Sequence, residues 1–227
     1  MDLLEFARGP ALVFAVTVFV LGTSWRLAGV LMQPRLPDLS PAREGAPSRL
    51  AAIWHANLRA MWPRQAFAPS TRFVTINGYA FHIGLALVAF GYAPHITFIQ
   101  RHLGLSWPAL PDVVIYIAAA ATIVAMLLAL ALRLSDPVRK TISRADDWIT
   151  WTVTFLPIVT GMAVLGEPSA AILARDHVVY AGPLAVHLLS LGLLLVWFPF
   201  GKLMHAVLFA FSRGATGVRF SHRGVKV

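Results

Sequence analysis

The sequence contains no cysteine among its 227 residues. Disulfides, thiolate metal sites, iron–sulfur clusters and cysteine nucleophiles are therefore excluded from this chain. A redox cofactor held here has to be bound by histidine, and the chain has eight histidines.

Charged residues are also scarce, at 13% of the chain against 58% hydrophobic residues. A soluble domain carries about 25% charged residues, so the composition predicts an integral membrane protein. The net charge of +9 does not indicate nucleic-acid binding, because the basic residues lie in loops between apolar stretches. There they orient the protein and meet anionic lipid headgroups or an acidic partner.

Five apolar stretches have the length of membrane-spanning helices. They cover residues 10–31, 74–99, 113–132, 148–165 and 178–204. The chain opens with Asp2 and Glu5 rather than with a basic segment, so we expect a retained first helix and not a secretory signal peptide.

The loops alternate in positive charge. The loop after the first span, the loop after the third span and the C-terminal tail contain six, four and four Lys and Arg residues, whereas the N-terminus and the other two loops contain one each. Basic loops stay in the cytoplasm. We therefore predict one all-α domain over residues 1–227, a five-transmembrane-helix bundle in the bacterial inner membrane with its N-terminus outside and its C-terminus cytoplasmic.

The long first loop contains a segment with helical apolar spacing at residues 48–62. Ser48 suits its N-cap position, and we predict an amphipathic helix that lies in the membrane surface. His55 falls on this helix, where a solvated imidazole is expected rather than a metal ligand.

Two histidines bracket residues 187–205, a run with no charge before Lys202. Eighteen residues of α-helix make five whole turns, about 27 Å, so both rings are expected on one face of one helix. That length approaches the roughly 30 Å of the bilayer hydrocarbon. Such a helix can provide one axial ligand to each of two stacked haems. The alternative is a plain transmembrane helix with one histidine at each membrane interface.

The predicted topology gives each histidine a depth. His82 and His205 lie toward the cytoplasm and form the inner pair, whereas His95 and His187 lie toward the outside and form the outer pair. Pro94 is expected to distort its helix enough to turn His95 inward. His102 and His177 are rivals of His95 at the outer surface. Two such sites would carry electrons across the membrane in short steps.

Three stretches resemble the gamma-type cytochrome b subunit of respiratory nitrate reductase. They are residues 187–205 with their FPFGKLMH ending, residues 134–147, which are similar to the family's basic loop before helix four, and the FHIG sequence of residues 81–84 at the start of helix two. The resemblance covers most of the chain beyond the long first loop.

The resemblance implies a dihaem subunit that takes electrons from quinol near an outer haem and delivers them from an inner haem to an iron–sulfur subunit on the cytoplasmic face. By position, His82 and His205 match the inner-haem ligands and His187 matches one outer ligand. The chain departs from the family at the fourth ligand, where Tyr92 replaces a histidine and His95 follows one turn later. It resembles a divergent member, whose catalytic partner need not reduce nitrate.

The resulting hypothesis is a quinol-linked electron-transfer subunit of a respiratory oxidoreductase, with haem b as cofactor and quinone as substrate. Its partners would be an iron–sulfur subunit and a catalytic subunit, because the chain has no residues for a terminal substrate. The four expected iron ligands are His82, His95, His187 and His205. The alternative is a haem-free or monohaem anchor or assembly subunit. A small transporter is disfavoured, because no span contains a buried carboxylate and no inverted repeat is evident.

Overall fold

The protein is described by a computed structural model over residues 2–34, 38–62, 68–165 and 180–225. Within these ranges the chain is helical and contains no β-strand, so the predicted all-α class is confirmed. His177, the predicted loop at residues 167–176 and the first residues of the predicted span 178–204 lie outside the described residues.

The apolar stretches form long helices, and shorter helices lie between them. The helices are α1 (Leu3–Phe6), α2 (Leu12–Leu31) after a π-helical turn (Ala7–Ala11), α3 (Arg49–Arg59), α4 (Ala68–Gly91), α5 (Ala93–Leu103), α6 (Asp112–Ser135), α7 (Pro137–Ile142), α8 (Ala145–Met162), α9 (Ala181–Trp197) and α10 (His205–Arg223). In the described part of the chain, Leu3–Leu31, Pro69–Gly91 and Asp112–Ser135 are long and apolar enough to cross a membrane. A fourth candidate span is Ala181–Trp197 taken together with Lys202–Arg223.

The apolar helices pack side by side in the order α4, α6, α8, α9 and α2. Gly84 allows the closest approach of α4 to α6, because a Cβ at this position would lie only 2.9 Å from the Ala118 carbonyl oxygen. Among the described residues, α4 and α9 share no extensive interface. The helix that carries His82 and the helix that carries His187 are therefore not direct neighbours in the packing order.

The prediction of one straight helix over residues 187–205 is wrong. Helix α9 ends at Trp197, a turn and a 3-10 segment (Lys202–Met204) follow, and the chain leaves at 76° to α9. Pro199 has no N–H to continue the helix and clashes with the preceding turn. Its buried ring packs on α2 at Gly22, where a Cβ would lie 2.7 Å from the Pro199 Cγ. His205 is consequently the first residue of α10 and not part of α9.

The predicted second span is likewise broken. Helix α4 ends at Gly91, Tyr92 has extended backbone angles (φ −79°, ψ 128°), and Pro94 occupies the first turn of α5. A proline is well tolerated there, since the first N–H groups of a helix have no partner within that helix. Pro94 therefore redirects His95 by starting a new helix, rather than by bending the old one.

Helix α3 and helix α10 form one packed unit. Gly217 of α10 fits against α3, since a Cβ there would lie 2.9 Å from the Ala52 carbonyl oxygen, and the Asn57 amide donates to the Ala210 carbonyl oxygen at 3.2 Å. Helix α3 begins after Ser48, whose side chain accepts the Ala51 N–H as predicted for an N-cap. The residues after 211, which the sequence analysis counted as a basic C-terminal tail, continue α10 as far as Arg223.

An ion pair connects the C-terminal end of α10 to the segment around Asp38. Arg223 Nε lies 2.9 Å from Asp38 Oδ2, and the His222 Nε2 lies 2.9 Å from the Ser40 carbonyl oxygen. The hydrogen bond from Arg223 holds the pKa of the Asp38 carboxyl well below its usual range. The polar loop after α2 is thereby attached to the C-terminal helix.

Candidate functional site

The structure brings the inner pair together. His82 projects from the middle of α4 and His205 from the start of α10, and their ring centres are 6.2 Å apart. The two ring planes are nearly perpendicular, at 89°. The break after Trp197 makes this contact possible, because it separates the direction of His205 from that of α9.

The outer pair also meets. His95 from the first turn of α5 and His187 from α9 have ring centres 6.3 Å apart, with nearly parallel planes at 13°. Both side chains are partly buried, whereas His82 and His205 are exposed. The pairs predicted from depth are thus adjacent in the fold.

In each of the four rings, Nδ1 faces an oxygen atom. Nδ1 lies 2.7 Å from the Gly78 carbonyl oxygen in His82, 2.9 Å from that of Val88 in His95, 2.8 Å from that of Lys202 in His205, and 3.3 Å from Thr160 Oγ1 in His187. A carbonyl oxygen only accepts, so Nδ1 carries the proton in those three rings and Nε2 keeps its lone pair. This is the tautomer that a metal-ligating histidine needs.

The spacing within each pair fits a metal ion between the rings. Two imidazoles bound to one metal ion from opposite sides, each at about 2.0–2.1 Å, have ring centres about 6 Å apart. The two planes can take any mutual angle, because rotation about the metal–nitrogen bond leaves the bond intact. Haem matches a set of two imidazoles, since its macrocycle supplies the remaining four ligands.

The other described histidines lie outside these pairs. His55 is exposed on α3, as predicted. His102 is exposed, its Nδ1 lies 2.9 Å from the Phe98 carbonyl oxygen, and its ring packs on Phe98 with centres 4.2 Å apart. No group of three or more His, Asp or Glu residues with metal-ligand spacing occurs among the described residues.

A comparison with curated proteins finds one relative from Nitratidesulfovibrio vulgaris (strain Hildenborough), named only "Protein". It is 30% identical over 222 residues, which cover 97% of this chain and 88% of the relative. The chain belongs to that protein's family. No family model matches the sequence, and no solved structure matches it. The family assignment therefore rests on this relative.

In this member of the family, sequence reasoning missed a charged cluster beside the inner pair. Asp147 at the start of α8 lies 3.2 Å from Arg133 NH1 and also pairs with Lys202 Nζ. The Lys202 ammonium, together with the Arg144 N–H, holds the pKa of the Asp147 carboxyl below its usual range. Because the Lys202 carbonyl oxygen faces His205 Nδ1, the cluster fixes the turn that presents His205. Lys202 in the FPFGKLMH ending was the residue that could have indicated this cluster. Its acidic partner Asp147, however, lies 55 positions earlier in the sequence.

Asp147→Asn is expected to lower the thermal unfolding midpoint by about 2–4 °C at pH 7, the shift that about 1 kcal/mol produces in a chain of this size. Since the folded-state pKa of Asp147 is depressed, the ion pair stabilises the fold above the unfolded-state pKa of about 3.9 and is lost as pH falls through the lower folded value. The difference in unfolding midpoint between variant and wild type should therefore disappear below about pH 4. Asp146→Asn, at the neighbouring carboxylate, is the matched control. A difference in unfolding midpoint that does not change with pH would contradict this account.

Proposed function

We propose that this chain is a b-type dihaem membrane subunit, similar to the nitrate reductase gamma family, that transfers electrons between the quinone pool and an iron–sulfur and catalytic partner. The observation that carries the proposal is the presence of two imidazole pairs, with ring centres 6.2 and 6.3 Å apart. Two sites with this spacing, in a chain without cysteine, favour haem over other redox centres.

The residues of the chain have a defined part in this function. Bound haem b supplies one-electron chemistry, and the protein supplies axial nitrogens, their orientation and an apolar shell. The oxygen atoms that face Nδ1 leave Nε2 of each ring as the nitrogen available to a metal, and a hydrogen bond donated by Nδ1 makes the imidazole a stronger donor. His205 on α10 completes the inner pair, and His95 on α5 completes the outer pair. The break after Trp197 and the break after Gly91 thus each bring one ring to its partner.

The topology that goes with this function has five spans, with the N-terminus outside and the C-terminus in the cytoplasm of a bacterial inner membrane. Helix α8, the fourth span in chain order, brings the four candidate spans to five, and it packs between α6 and α9. The cluster of Arg133, Asp147 and Lys202 and the basic α3–α10 unit would lie on the cytoplasmic side, where an iron–sulfur subunit docks and basic loops are retained. Quinone would react near the outer pair.

The exposed face of α3 suits the lipid of the inner leaflet. Ala52 and Ala56 pack against α10, whereas Leu50, Trp54 and Leu58 are 79%, 69% and 50% exposed. They recur every four residues and form one apolar stripe. An amphipathic helix with a Trp and Leu face and flanking arginines is typical of the membrane interface. We therefore place the α3–α10 unit in the surface of the bilayer.

This placement predicts the depth of spin labels on α3. Single-cysteine variants at Leu50, Trp54 and Leu58 can be labelled without background, since the chain has no cysteine. In lipid nanodiscs these labels should collide more often with dissolved oxygen than with a water-soluble nickel complex, and a label at exposed Arg59 should show the opposite preference. Preferential contact of the stripe labels with nickel would contradict burial in lipid and favour an aqueous or protein-facing surface.

The proposed function itself is tested by cofactor analysis of the purified protein. A pyridine haemochrome assay with iron determination should give two haem b groups per chain. One haem per chain would favour the monohaem alternative. A folded chain without haem would overturn the proposal and favour an anchor or assembly subunit.

A further inference from the structure

His187 differs from the other three paired histidines in the atom that its Nδ1 faces. The Nδ1 atoms of His82, His95 and His205 face backbone carbonyl oxygens. The Nδ1 of His187 lies 3.3 Å from the hydroxyl oxygen of Thr160, with the Pro157 carbonyl also in reach. Only at His187, among the four, can a side-chain substitution remove a partner of the ring nitrogen.

The hydroxyl oxygen of Thr160 is positioned to accept a hydrogen bond from Nδ1 of His187. Ser190 Oγ donates to the His187 carbonyl oxygen at 2.7 Å. Thr160 Oγ1 lies 2.7 Å from the Leu156 carbonyl oxygen and 2.9 Å from Ser190 Oγ, and its single proton is used by one of these acceptors. A lone pair of Thr160 therefore remains for the N–H at Nδ1 of His187.

The neighbouring backbone of α8 also limits where the ring can lie. A Cβ at Gly161 would lie 3.2 Å from His187 Cε1, so the imidazole rests directly against the backbone of α8. Ser190 is buried at 5% exposure, which keeps water from replacing the hydroxyl contacts. The Cε1 atom of the His187 ring thus lies against the backbone of α8, and Nδ1 lies within hydrogen-bond distance of Thr160.

We propose that Thr160, supported by Ser190, is a positioning residue that fixes the rotation of the His187 ring and so keeps the planes of the outer pair parallel. This inference rests on the proposed function. Parallel imidazole planes act on the same iron d orbital and separate it in energy from its partner, whereas perpendicular planes act on both orbitals alike. With haem bound, the outer pair at 13° and the inner pair at 89° would therefore be electronically different sites.

The test is electron paramagnetic resonance of the oxidised, purified full chain, with haem content measured on the same samples. Wild type should show two low-spin ferric signals, a rhombic one from the outer pair and a strongly anisotropic one from the inner pair. Thr160→Val should alter only the rhombic signal while two haems remain, and Thr160→Ser should restore it. Thr154→Val, on the same helix with its hydroxyl 2.7 Å from the Thr150 carbonyl oxygen, should change neither signal.

The outcomes separate the two proposals. His205→Ala assigns the signals, because it should leave only the rhombic one. An unchanged rhombic signal in Thr160→Val with both haems present would overturn the positioning role and leave the proposed function intact. Absence of haem from the wild type would overturn the proposed function, and the inference with it. If Thr160→Val fails to fold, Ser190→Ala replaces it, and an unchanged rhombic signal there overturns the role of the Thr160–Ser190 contact.

Discussion

His205→Gly is expected to lower the haem content from two per chain to one. The residue provides one ring of the inner pair from the start of α10, and the pair loses an axial nitrogen when the ring is removed. Free imidazole added to the purified variant should restore the missing haem absorption, since the glycine leaves space for a ligand of the same shape. The measurement is the haemochrome content and the visible spectrum with and without imidazole.

His222→Gly is the matched control for this variant. His222 lies on the same helix, and its Nε2 faces the Ser40 carbonyl oxygen rather than another imidazole. We expect two haems per chain in that control. Equal haem content in His205→Gly and wild type would mean that the contact between His82 and His205 is ordinary ring packing, and the inner site would have to be abandoned.

His95→Ala is expected to remove the other haem and to abolish reduction of the remaining one by a quinol analogue. His95 is the partner of His187 in the structure, with ring centres 6.3 Å apart. Tyr92→Phe should keep both haems, because Phe preserves the aromatic ring that lies perpendicular to the His95 ring at a centroid distance of 5.4 Å. Quinol-driven reduction and haem content of the two variants decide which residue serves as the fourth ligand.

The rival ligand His102 supplies the control for His95. Its ring packs on Phe98 and is exposed, so His102→Ala should leave haem content at two per chain. Loss of a haem in His102→Ala but not in His95→Ala would reverse the assignment of the outer site.

The pairing of the histidines could be predicted from the sequence because their depth follows from the spans and the loop charges, whereas the break after Trp197 that brings His205 to His82 was not predicted. Spacing along the chain and the distribution of arginines between loops suffice to place His82 with His205 and His95 with His187. Pro94 was recognised as the residue that redirects His95, since the effect of proline on a helix is local. The direction of each ring could not be derived, because it depends on what the helices pack against.

The shape of the chain after Trp197 shows this limit. The spacing of His187 and His205 suits an unbroken helix, and Pro199 alone does not say whether a helix bends or ends. In the structure, the ring of Pro199 packs at Gly22 of α2, about 180 positions away in sequence, which favours the sharp turn. The periodicity of apolar residues in the sequence does not predict tertiary contacts of this kind.

Helix α10 was missed for a related reason. The residues after the last predicted span were counted only for their positive charge, and no helix was predicted there. Gly214 and Gly217 are poor helix formers, so the local sequence favours no helix. Both glycines lie against α3, where a larger side chain would collide with Ile53 or Ala56. Thr160 escaped notice as well, since a threonine in an apolar helix commonly bonds only to its own backbone.

The 76° bend after α9 has a mechanical consequence. His82 lies on α4, whereas His205 lies on α10, which is attached to α3 and to the segment around Asp38. A displacement of α10 by a fraction of an ångström would therefore shift one ring of the inner pair relative to the other. Under the proposed function, a partner that docks on the α3–α10 unit would change the bond geometry of the inner site, while the outer site stays as it is.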